Sequence, residues 1–145
     1  MVLATNGTDS ALSTSQFVYA LLPAAKLTLV QAVQIPPQLK EAMLRVGSRK
    51  SELKALRKKL VNDAKAYLGT LTAQAGLKLS SKVLKGDPAK VLTQVSGAKN
   101  IDLMVLGQGR ASLVQRAFIG SVSRRLLRDA SCDVLIWCAG SAVKD

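Results

Sequence analysis

Apolar positions along the chain fall into two spacings, and the alternation between them predicts the architecture. Short apolar runs recur at Val2, Leu3 and Ala4, at Leu27 to Val33, at Ile101 to Leu106 with one Asp among them, and at Val134 to Trp137, and Leu77, Leu79, Val83 and Leu84 mark a further strand among two serines and two lysines. Runs this short and this apolar suit strands covered on both faces. Between them the spacing becomes helical. Phe17, Val18, Leu21 and Leu22 predict the buried face of a first helix, and Leu53, Leu56, Leu60, Ala64, Tyr67, Leu68 and Leu71 that of a long one. Val91, Leu92 and Val95 do the same for a third. Val122, Leu126, Leu127 and Ala130 do so for the last.

Punctuation agrees with that division. Gly47 separates a short helix from the long one, Gly86 ends the third strand, and Asp87 followed by Pro88 predicts a capped helix start. Gly97 closes that helix, and Gly107 is expected to stop the fourth strand. Five strands alternating with helices predict a doubly wound α/β sandwich built as one domain over residues 1–145.

Candidate binding chemistry gathers at the strand-to-helix turns. Gly107 and Gly109, lacking Cβ atoms, let the backbone curl close to a ligand at the carboxyl edge of the sheet. Gly120, Ser121, Val122 and Ser123 enter the last helix, whose first free N–H groups suit a phosphate. Asn6, Gly7 and Thr8 form the turn after the first strand, and Thr8, Asp9 or Ser10 can cap the next helix.

These residues resemble the universal stress protein family, over essentially the whole chain. The family's hallmark is a strand resembling DLIVMG, then glycine, two residues, glycine, nine residues, and glycine followed by serine or threonine. Asp102 to Gly107 match the strand, and Gly120 to Ser123 match the end of the motif at the expected distance. The middle departs: the second motif glycine falls on Arg110, with Gly109 one place early. Asn6 stands where the family carries an Asp that reaches the nucleoside. An amide keeps one acceptor oxygen and adds two donors while losing the charge.

The resemblance implies a five-stranded parallel sheet of order 3-2-1-4-5, an adenine nucleotide alpha hydrolase-like fold, with strands 1 and 4 adjacent where the winding reverses. It also places Ala32 against an adenine, and the glycine loop with Arg110, Gly120, Ser121 and Val122 around the phosphates of ATP or another adenine nucleotide. An Mg or Mn ion would be held mainly by those phosphates. A homodimer through Val134, Leu135, Ile136 and Trp137 of the last strand is likewise implied.

Composition then narrows the function. The chain has no His, its two cysteines fall on one predicted strand roughly 20 Å apart, and no carboxylate pair or metal-ligand cluster is apparent. A binding and signalling module is expected, with ATP hydrolysis at most slow and incidental. No apolar run is long enough to span a membrane, no basic-apolar leader opens the sequence, and the expected location is the cytoplasm.

Charge is the outlying property. The net charge is +12, and residues 38–65 alone carry nine basic against three acidic side chains. Such a chain attracts polyanions. Aromatic residues make up only 3% and none interleaves the basic run, so the stacking partners of single-stranded nucleic acid recognition are missing and a nucleic acid partner lacks support. The alternative function is therefore a family member that has lost nucleotide binding and acts as a basic protein or polyanion interaction module.

Overall fold

The computed structural model describes residues 1–5, 10–76, 79–108 and 121–138. Its strands are β1 (Val2–Thr5), β2 (Thr28–Val33), β3 (Ser80–Lys85), β4 (Leu103–Gln108) and β5 (Asp133–Cys138). They form one sheet of order β3-β2-β1-β4-β5, and every pairing is parallel. The helices are α1 (Ser10–Leu21), α2 (Pro37–Arg45), α3 (Lys50–Ala75), α4 (Pro88–Ser96) and α5 (Ser121–Asp129).

Strand side chains alternate between two cores, as a period of two requires. Leu3, Leu29 and Val105 join Ala11 and Val18 of α1 and Leu68 and Leu71 of α3 on one face. On the other, Val2, Val30, Met104 and Leu106 meet Leu92 of α4 and Leu126 of α5. A strand feeding both cores has no polar face, which explains why the central strands β1, β2 and β4 are largely apolar, whereas the edge strand β3 carries serines and lysines.

The long helix α3 carries its buried residues at Leu53, Val61, Ala64, Leu68 and Leu71, and it ends at Gly76 in the left-handed region, φ 64°. Its charged residues face outward, so the basic run is the solvent side of an amphipathic helix. Helix α2 buries nothing, and Gly47 at φ 84° turns the chain from it into α3. The Asp87 carboxylate accepts from the Lys90 N–H at 3.0 Å, and Pro88 fills the first helical position of α4.

Several sequence expectations shift. Strand β4 begins at Leu103 rather than Ile101 and continues through Gly107, which pairs with Trp137 instead of ending the strand. Strand β3 begins at Ser80 rather than Leu77. In α1 the buried positions are Ala11, Thr14, Ser15 and Val18, whereas Phe17, Leu21 and Leu22 are largely exposed. Small residues bring α1 close to the sheet, and the larger ones are left on its flank. The polar cost is met locally, since the Ser15 hydroxyl donates to the Leu12 carbonyl at 2.7 Å. In α5, Leu126 is fully buried but Leu127 is half exposed, one residue around the helix.

Candidate functional site

The site grows out of the sheet's winding. Helix α1, which follows β1, packs with α3 on one face, while α5, which follows β4, packs with α4 on the other. Adjacent parallel strands whose chains leave to opposite faces open a crevice at their carboxyl ends. Here β1 is also short. Thr5, its last residue, lies opposite Gln31, and β2 runs on through Ala32 and Val33. On the other side Ala4 lies opposite Leu106, and β4 runs on through Gly107 and Gln108. Among the described residues the end of β1 is therefore stepped back between the longer ends of β2 and β4, a recess in the strand register, and α1 and α5 follow β1 and β4 on opposite faces.

The sequence-predicted residues divide accordingly. Ala32 forms one side of the recess at the end of β2, and Gly107 forms the other at the end of β4. Ser121 and Val122 are the first two residues of α5, where backbone N–H groups lack intrahelical partners. The Val122 side chain packs into the α4–α5 core, so any ligand contact it makes comes from its backbone. Asn6, Gly7, Thr8, Gly109, Arg110 and Gly120 lie outside the described residues.

Gly107 has a packing reason for its identity. A Cβ at this position would fall on Thr14 Oγ1 and lie 3.2 Å from Thr14 Cβ. The fully buried threonine of α1 therefore takes up the space beside the strand. The missing side chain draws α1 against the end of β4, and that approach shapes the recess as well as leaving it open.

One residue of the recess was passed over in the sequence. Gln31 interrupts the apolar run of β2 directly opposite Thr5, and its Oε1 is buried with no hydrogen-bond partner among the described residues. An orphaned buried acceptor costs about 1–3 kcal/mol. The signal was present as a single amide in an apolar strand, but its position across from the last residue of β1 depends on register, which the sequence does not display.

Among the described residues no group of three His, Cys, Asp or Glu side chains is placed to hold a metal ion. The Arg128 guanidinium, by its hydrogen bond, holds the Asp129 carboxyl below the usual carboxylate range, which makes it a charge partner and not a base. Cys132 is a free thiol pushed upward chiefly by burial, with the Asp133 charge adding to the shift, so little of it is thiolate at neutral pH. No helix among the described residues is long and apolar enough to cross a membrane.

Comparison with known proteins places this geometry. Universal stress protein MJ0531 of Methanocaldococcus jannaschii is 33% identical over 61 residues, which span 42% of this chain and 36% of that protein. The structure of universal stress protein UspA from Lactobacillus plantarum superposes with a TM-score of 0.68 at 18% identity, covering 94% of this chain and 95% of that one. A universal stress protein solved in complex with cAMP is 25% identical, with a TM-score of 0.54 and coverage of 94% and 93%. The five-stranded sheet of order 3-2-1-4-5 is the adenine nucleotide alpha hydrolase-like fold of these structures. The sequence profile of the universal stress protein family matches residues 1–137, and the chain belongs to that family.

Proposed function

We propose that this universal stress protein is a signalling module that binds ATP or another adenine nucleotide, without catalytic turnover as its purpose. The observation that carries the reading is the recess over β1, flanked by Ala32 and Gly107 and opened beside by the N-termini of α1 and α5. In this reading Asn6, Gly7 and Thr8 meet the nucleoside, Ala32 lies against the base, and Gly107, Gly109, Arg110, Gly120, Ser121 and Val122 surround the phosphates. The phosphates themselves hold an Mg or Mn ion. The cAMP complex of a relative 25% identical supports an adenine nucleotide as the ligand class.

The same reading makes the protein a cytoplasmic homodimer. Strand β5 is an edge of the sheet, and its Val134, Leu135, Ile136 and Trp137 remain only half buried. Pairing with a second copy covers that edge.

Protein purified without added nucleotide, then heated and chromatographed, is expected to release an adenine nucleotide, and the emptied protein to bind ATP in a calorimetric titration. Absence of both sinks the reading and leaves the basic interaction module in its place.

A further inference from the structure

A second concavity lies at the carboxyl ends of β2 and β3, with a volume of about 460 Å3. Its walls include Val33 and Ile35 from the end of β2, Lys40 of α2, Arg57 of α3 and Lys85 at the end of β3. Lys40, Arg57 and Lys85 line it from three separate elements, and among the described residues no carboxylate does. That differs from the solvated face of a single helix, where like charges point apart.

The neighbouring carboxylates are committed elsewhere. Glu41 of α2 binds Arg45 at 2.7 Å. Asp87, just past Gly86, caps α4 and faces Arg125 of α5 at 3.9 Å. Among the described residues none of Lys40, Arg57 and Lys85 has an ion-pair partner. A concave wall lined by one sign of charge focuses the field into the opening and raises the local concentration of counter-ions. The volume is within the range of small-molecule sites. Arginine supplies a planar fork that matches phosphate oxygens in pairs, and the lysines supply mobile point charges on either side.

We propose that this cleft binds an oligophosphate group, with Arg57 as the bidentate contact and Lys40 and Lys85 as flanking charges. The cleft adjoins the recess at Val33 but lies on the β2–β3 side of it, away from the β4 side where Gly107 and Ser121 stand, and the proposal does not depend on the nucleotide reading. The phosphates come either from a free oligophosphate or from a nucleotide whose own phosphates enter this cleft. Both present the same chemistry to the cleft.

The test is calorimetric titration of inorganic triphosphate into the full chain at low salt, comparing Arg57→Gln, Lys85→Gln and the charge-matched control Lys58→Gln. Lys58 neighbours Arg57 on α3, is exposed, and does not line the cleft. Saturable one-to-one binding is expected, weakened roughly tenfold by Arg57→Gln and by Lys85→Gln, and by less than about twofold in the control. Repeating the titration in saturating ATP separates the sources: displacement assigns the cleft to the nucleotide's own phosphates, and independence assigns it to a separate oligophosphate. Failure to saturate, equal affinity in all variants, or a loss in the control as large as that in Arg57→Gln overturns the proposal.

Discussion

Thr14 of α1 stands where a side chain at position 107 of β4 would have to go. The threonine is fully buried, and a Cβ on Gly107 would lie 3.2 Å from its Cβ and 3.4 Å from its Cγ2 as well as meeting its hydroxyl. Neither partner can move without repacking α1 on the sheet. Gly107→Ala is therefore expected to destabilise the fold by roughly 1–3 kcal/mol through overpacking. Thr14→Ala should recover part of that loss, so that the double variant is more stable than the sum of the singles predicts. Urea unfolding of the four proteins checks this, and strict additivity would show that the two positions do not compete for space.

Ser121 opens α5 at the side of the recess. Ser121→Glu places a carboxylate where free N–H groups would meet phosphate, so ATP affinity should fall by more than about tenfold. An acidic residue at a helix N-terminus favours the helix, so the melting temperature should hold or rise slightly. Gly120→Glu is expected to act in the same direction. Unchanged ATP titration in both variants would remove this turn from the site.

Gln31 sets up an opposition between stability and binding. Its buried Oε1 has no partner among the described residues, so Gln31→Leu removes that acceptor and should stabilise the empty protein by roughly 1 kcal/mol, raising Tm by about 3 °C. If the amide serves the ligand, the same variant should bind ATP less tightly. Calorimetric melts with and without ATP measure both effects. A variant less stable than the parent when empty would show that the amide is already satisfied.

Dimerisation through β5 predicts a chemical crosslink. With a two-fold axis near Leu135, antiparallel pairing sets Cys132 of one chain opposite Cys138 of the other, at a separation that a disulfide can span. Copper-phenanthroline oxidation should give a covalent dimer on non-reducing gels, lost in Cys132→Ser or Cys138→Ser. Burial raises the Cys132 thiol, so the thiolate forms only as pH climbs past its ordinary range, and crosslinking should quicken from neutral toward alkaline pH. Light scattering that returns a monomer at micromolar concentration rejects the interface; a dimer that never crosslinks rejects only this register.

The central strands were legible because each one feeds two cores, which leaves runs that are mostly apolar, while β3 was read from Val83 and Leu84 among polar residues. Asp87, Pro88 and Gly97 were equally plain, since their roles are local and α4 uses them as the sequence suggests. Packing against a neighbour was not legible. Thr14 and Ser15 are polar and small, so the eye passes to Phe17 and Leu21, yet close approach of α1 to the sheet favours the small residues. Gly107 read as a terminator because the threonine that explains it is 93 residues away in sequence. The order of the strands came from the family resemblance alone, as did the places of Ala32 and Arg110, whereas the glycine turns and the start of the last helix were read from local pattern; Ala32, Gly107, Ser121 and Val122 are described at the carboxyl edge.

The stacking of Phe17 on Trp137, with ring centroids 5.1 Å apart and planes 11° from parallel, joins α1 to the edge strand. Trp137 is the only tryptophan in the chain. The protein thus carries one indole, which can be excited selectively over the two tyrosines, on the strand through which two copies would meet and against the helix that begins beside the recess. Any shift of α1 against β5 changes the ring that quenches or shields this indole, and covering the edge removes water from it. Emission wavelength and lifetime can therefore be followed without a label, and a Phe17→Leu variant supplies the reference in which the coupling to α1 has been cut.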